Sequence, residues 1–296
     1  MATTAPALLR RYQGMLAAPT VGLIAWLGAA GVALGMMFAA GPLALLDAHL
    51  WLAARTKSFS GSFLAGCIGV LHRPGAAALT ATLVATTLVV YVAFVLARNR
   101  AKRRNQTRLY SRTVERLGHH DARLGALVVP YAEPVCFCLY DGTPRTVISS
   151  GALQLLTARQ VEAVLSHERA HLSGHHHALT SLSRGLARAV PLPLFRALPE
   201  QIELLLERSA DEIASTQCGR GQVASALARM VDHGVPGTAL AATGGSLDTR
   251  MSYLLDPASS PRLRARTLVS WLLIAVVTAV GPVTLLTLAC ELSLAP

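Results

Sequence analysis

The stretch Leu165-Ser-His-Glu-Arg-Ala-His-Leu172 decides the reading of this chain, because it sets His167, Glu168 and His171 in the spacing His-Glu-x-x-His. On an α-helix, residues four apart share a face, so His167 and His171 can aim ring nitrogens at one tetrahedral Zn²⁺ about 2.0–2.1 Å away. Glu168 then stands beside the metal, where a carboxylate can take the proton of a water that the metal has acidified. The pattern points to amide hydrolysis with Glu168 as the catalytic base. Chance would place it in about one in a hundred chains of this composition.

The flanks support a helix. Thr157 and Gln160 have capping-box spacing, and Val161, Val164, Leu165 and Leu172 make an apolar stripe that a core would bury. Two histidines do not complete a catalytic zinc site, which has three protein ligands and one open position. Downstream, Glu200-Gln-Ile-Glu-Leu-Leu-Leu-Glu-Arg-Ser-Ala-Asp-Glu-Ile-Ala214 is a second helical pattern in which Glu203, Glu207 and Asp211 stack at four-residue spacing. Glu207 is the expected third ligand, with Glu203 as its rival. Asp211, one turn on, is placed to accept a hydrogen bond from the far nitrogen of a ligating histidine.

The pattern His-Glu-Arg-Ala-His followed by Glu207-Arg-Ser-Ala-Asp211 resembles that of gluzincin membrane peptidases. Among them it is most similar to the penicillin-sensing antirepressor peptidases of the BlaR/MecR type, in particular their short actinobacterial members, and next to HtpX-like and CAAX-type peptidases. The resemblance covers roughly residues 128–255, including Arg145-Thr-Val-Ile-Ser-Ser-Gly-Ala-Leu153, His175-His176-His177 and Thr249-Arg-Met-Ser-Tyr-Leu-Leu255. It implies a zincin-like domain between membrane helices that cleaves a cytoplasmic repressor; turnover of damaged membrane proteins is the rival role. Penicillin sensors of this family carry a drug-binding domain after their last span, whereas this sequence stops at Pro296, so no β-lactam sensor is expected. The resemblance also places Arg250 near the domain core. There it would pair with an acidic site residue, contact substrate carbonyls or make a structural salt bridge.

Composition agrees with a membrane protein. Hydrophobic residues make up 52% of the chain and the mean hydropathy is +0.45, too apolar for an ordinary soluble domain. Residues 20–46 and 75–97 read as two spans, with Arg10 and Arg11 before the first and Arg98, Arg100, Lys102, Arg103, Arg104 and Arg108 after the second. A third span covers 271–292, behind Arg262, Arg264 and Arg266. By the positive-inside rule the chain is a multi-pass protein of the cell membrane, with a membrane region over 1–97, a cytoplasmic peptidase domain over 98–266 and a last helix over 267–296. The formal charge of +11 is then met by anionic lipid, and no direct nucleic-acid contact is expected. The expected partners are a peptide or protein substrate, a transcriptional repressor among them, and membrane lipid; a homo-oligomer stays open.

Between 126 and 150 the pattern turns to short β-rich pieces, with Asp141-Gly142 marking a hairpin, and the fold class expected is α+β with a small antiparallel sheet whose edge strand is 147–150. Cys136 and Cys138 share a strand face and read as small buried hydrophobes; the five cysteines form no disulfide framework. His119 and His120 read as exposed loop. His175, four residues after His171, extends the metal face by one turn; surface exposure is its expected role, with contact to substrate or an oxyanion as the alternative. A non-hydrolytic scaffold binding metal or lipid is the competing reading of another class, and it makes Glu168 dispensable.

Overall fold

The two N-terminal apolar runs fold as the long helices α1 (Pro19–Lys57) and α2 (Pro74–Leu117) in a computed structural model that describes residues 18–57, 74–233 and 244–256, with Pro6 and Leu9. Both helices outrun the expected spans. Helix α2 continues through the whole basic run, because residues 98–117 contain neither glycine nor proline to stop it. Pro19–Phe38 and Thr82–Leu117 are long and apolar enough to cross a membrane. Leu83, Val84, Val90 and Phe94 point outward from α2 and are exposed. The expected third span, 271–292, lies outside the described residues.

Four strands follow: β1 (His119–Asp121), β2 (Ala126–Val129), β3 (Cys136–Tyr140) and β4 (Pro144–Ser149), in the order β1-β2-β4-β3. The sheet is mixed, not antiparallel as expected. The chain leaves β2 for the far edge, runs back as a β3–β4 hairpin around Asp141-Gly142, and so lays β4 parallel to β2, with Leu127 opposite Val147. The expected edge strand at 147–150 is therefore interior, and β3 takes the edge. His119 and His120 are exposed as expected, but they pair with Val128 and Leu127 as a strand. Nothing in His-His-Asp signals this, since the pairing comes from β2.

The helices that follow are α3 (Ser150–Leu155), α4 (Ala158–Ser173), α5 (His176–Ala189), α6 (Pro193–Cys218), α7 (Arg220–Asp232) and α8 (Gly244–Leu255). The capping box forms: Thr157 N–H donates to Gln160 Oε1 at 2.9 Å, and Gln160 N–H to Thr157 Oγ1 at 3.4 Å. The break between α5 and α6 falls at Val190–Leu192, with Pro193 at the start of α6, where its missing N–H costs nothing. Pro199 lies inside the helix and does not end it.

Three apolar clusters place the elements. Sheet residues Val128, Cys136 and Ile148 pack on Val161 and Leu165 of α4 and Met230 of α7. Ala163, Ala214, Leu227 and Leu254 join α4 to α6, α7 and α8. The N-terminal half of α6, with Leu198, Ile202, Leu205 and Leu206, packs instead on Trp26 of α1, Val92 of α2 and Leu186 of α5. Helix α6 thus belongs to two cores, and its middle is pressed across α4.

Gly151 marks a close approach. Its N–H donates to Tyr131 O at 3.0 Å, and a Cβ there would lie 2.6 Å from the Ala132 carbonyl carbon. Backbone has to move to admit a methyl group, so Gly151→Ala is expected to cost about 1–3 kcal/mol. The thermal midpoint reads this directly, and an unchanged value would show that the 131–133 segment yields freely.

Candidate metal centre

His167, Glu168 and His171 sit on the last two turns of α4, with His167 and Glu168 buried. Glu207 and Asp211 come from α6, at the point where that helix passes from one core to the other. One ligand atom each from His167, His171 and Glu207 lies within 4.8 Å of the other two. His167 Nε2 and His171 Nε2 are 3.0 Å apart, and each lies 3.4 Å from an oxygen of Glu207. Glu207 turns one oxygen to each nitrogen, Oε2 to His167 and Oε1 to His171, so the three side chains converge on one point, with the two nitrogens closer than the edge of about 3.3–3.4 Å in a tetrahedron of zinc bonds. The donor set, two imidazole nitrogens and a carboxylate, also suits zinc. Glu203, the rival ligand, is turned away and accepts from Arg184 Nε at 2.7 Å.

Asp211 is fully buried and lies 3.0 Å from His167 Nδ1, the nitrogen facing away from the cluster. Arg250, from α8, donates to both Asp211 oxygens at 2.7 Å through Nε and Nη2, and its Nη1 lies 2.8 Å from Glu207 Oε2. Of the roles considered for Arg250, the geometry selects pairing with the acidic site residues. Its guanidinium is buried, and each of its three nitrogens faces a carboxylate oxygen.

Burial and charge set the protonation. Burial, the largest influence on Glu168, pushes its carboxyl up to about 7. Burial also opposes a charge on His167, yet hydrogen bonds to Asp211 and Glu207 overcome it and raise the ring to about 10. His171 moves the other way, to about 3, through burial and the neighbouring His167 charge. Burial would raise Glu207, but the His167 hydrogen bond and the Arg250 charge hold its carboxyl well below the usual range. Without metal, a proton on His167 thus sits between the carboxylates, and a metal ion has to displace it.

His175 is exposed, as expected, but it does not continue the metal face. Helix α4 ends at Ser173, Gly174 caps it, and His175 adopts a left-handed conformation with φ 52°, its ring exposed. The turn brings back His176 instead, whose Nδ1 lies 2.8 Å from His171 Nδ1. A second neighbour missed from the sequence is Cys138 on the edge strand β3, whose thiol is pushed well up by burial and by the nearby Glu168 carboxylate. The alternation Cys-x-Cys put both thiols on one face, but only the packing of β3 on α4 showed what that face meets.

The comparison with known families decides what this geometry is similar to. Residues 134–204 match the model for Peptidase family M48. The match supports a gluzincin metallopeptidase, and peptidases of this family are typically zinc-dependent, with which the His167, His171 and Glu207 cluster is compatible. It spans about a quarter of the chain, from the approach to β3 into α6, and stops short of Glu207, Asp211 and Arg250. No curated protein and no solved structure gives a significant match.

Proposed function

We propose that the chain is a membrane-bound zinc endopeptidase, with His167, His171 and Glu207 holding the metal and Glu168 moving the proton. The observation that carries this reading is the convergence of His167, His171 and Glu207, with one ligand atom of each within 4.8 Å of the others, beside a buried glutamate whose carboxyl is raised to about 7. Zinc bound there would polarise the scissile carbonyl and acidify a water. Glu168 takes the proton of the attacking water and delivers it to the leaving amine nitrogen, a task best served by a pKa near the working pH. Asp211 holds the His167 ring through Nδ1, and Arg250 holds Asp211 and Glu207 in place. Edge strand β3, unpaired on one side among the described residues, offers its backbone to an extended peptide laid across the cleft.

The membrane reading rests on α1, α2 and the outward apolar face of α2, with the basic end of α2 on the cytoplasmic side against anionic lipid. Because α1 and α2 pack on the helix that carries Glu207, cleavage takes place close to the bilayer. A cytoplasmic repressor segment, cut as a signal, is the substrate we assign, as in the antirepressor peptidases the sequence resembles.

Detergent-solubilised protein is expected to hold one zinc per chain and to cleave an unstructured protein such as casein, with loss on chelation and recovery on zinc addition. Glu207→Gln should lose the metal, whereas Glu203→Gln should keep it. Equal zinc content in these two variants would remove Glu207 from the ligand set.

A further inference from the structure

We propose that His176 is a positioning residue for the metal centre: it accepts a hydrogen bond from His171 Nδ1 and so holds the His171 ring with Nε2 turned toward His167 and Glu207. The proposal rests on the metal-centre reading above and adds the partner that this reading leaves open. His167 has a dedicated carboxylate on its far nitrogen, Asp211 Oδ1 at 3.0 Å. Among the described residues His171 has no acidic partner on its far nitrogen; its Nδ1 faces the ring of His176 at 2.8 Å, with the two rings almost perpendicular at 89°.

Two imidazole nitrogens this close share one proton. His171 presents Nε2 as a lone pair to the cluster, so its proton sits on Nδ1 and the lone pair that receives it is Nδ1 of His176. The arrangement sets the tautomer of a metal-facing histidine, as a carboxylate does in other sites, but adds no negative charge. That suits a centre already containing Glu207, Asp211 and Glu168.

The local backbone is built around this contact. The chain must reverse within two residues of Ser173 to return a ring to the preceding turn, and it does so with a non-glycine residue, His175, at φ 52°. Gly174 leaves room for the returning ring: a Cβ there would overlap His176 Nε2 and Cδ2. His176 is buried at 6% exposure, while His175 beside it is exposed. The left-handed turn, the missing side chain and the burial all serve one side chain, and its polar contact is His171.

The test measures zinc affinity of the full-length protein in detergent, by competition with a chromophoric chelator, together with the thermal midpoint of the zinc-free form. Asparagine can place Oδ1 where the histidine has Nδ1, and leucine cannot accept a hydrogen bond. His176→Leu is expected to weaken zinc binding about 10–100-fold, and His176→Asn to recover most of that loss at the same zinc-free midpoint. Gly174→Ala, which keeps His176 but displaces its ring, should weaken zinc binding as leucine does. Equal zinc affinity in the leucine and asparagine variants, weakened or not, would overturn the proposal. A wild-type protein that binds no zinc would instead overturn the metal-centre reading beneath it.

Discussion

Glu168→Gln is expected to keep zinc and lose cleavage, with kcat/KM falling by about 10²–10⁴-fold, the range that a positioned general base supplies. Glutamine has the size of glutamate and hydrogen-bonds like a neutral carboxyl, so the buried site beside Cys138 stays filled, and none of the three ligand atoms changes. What disappears is a group able to take a proton and give it back. Zinc content and casein hydrolysis, measured on the same preparations, separate the two consequences. Retained cleavage would sink the mechanism and favour a scaffold; loss of zinc as well would assign Glu168 to the metal.

The same residue governs the pH response. In the mechanism we propose, activity requires the ionised carboxylate; burial raises its pKa from 4.5 to about 7, while a bound metal cation would draw it down again. The acid limb of kcat/KM should therefore fall between these values. Stability follows the opposite sign. In the zinc-free protein the folded state binds this proton more tightly than the unfolded state, so the contribution is full below 4.5 and is lost as pH rises through about 7. The zinc-free Glu168→Gln variant should thus gain stability relative to wild type across that interval, as thermal midpoints at several pH values would show. A constant difference would mean that Glu168 titrates normally.

Arg250→Met is expected to be the most destabilising single change at the site, by about 3–5 kcal/mol, because it takes the guanidinium from the fully buried Asp211 and the half-buried Glu207 and leaves only the His167 proton between them. Asp211 is fully buried and spends both oxygens on Arg250, and Glu207 shares one of its own. Burial works against the guanidinium charge, but hydrogen bonding to Asp211 raises its pKa, so the network is held together by the pairing. Arg250→Lys keeps the charge but not the planar fork, and should recover only part of the loss. Combining Arg250→Met with Asp211→Asn should also recover part, since the stranded charge is then removed. Thermal midpoints of the zinc-free variants test this, and a wild-type midpoint for Arg250→Met would show that water reaches and solvates the carboxylates.

What could be read from the chain was local. The spacing of His167 and His171 fixes their common face through the helical repeat alone, the Thr157–Gln160 box starts that helix, and Asp141-Gly142 closes the hairpin, each within a few residues. The apolar runs announced α1 and α2 in the same way. Choices between equivalent neighbours were not legible. Glu203 and Glu207 share a helix face, and only the crossing of α6 over α4 sends the first to Arg184 and the second to the histidines. His175 and His176 are adjacent and alike, and the left-handed turn after Gly174 decides which one reaches His171.

Strand order was hidden for a related reason. The hairpin fixes β3 beside β4 but not which of them meets β2, so the edge strand and the Cys138 contact with Glu168 emerge only when the sheet docks on α4. Arg250 lies 39 residues beyond Asp211, and its burial there compensates charges that neither segment reveals alone. The common face of His167 and His171 was legible because helical periodicity is a property of neighbouring residues; their partners were not, because hydrogen bonds and ion pairs between distant segments exist only once packing has set which faces meet.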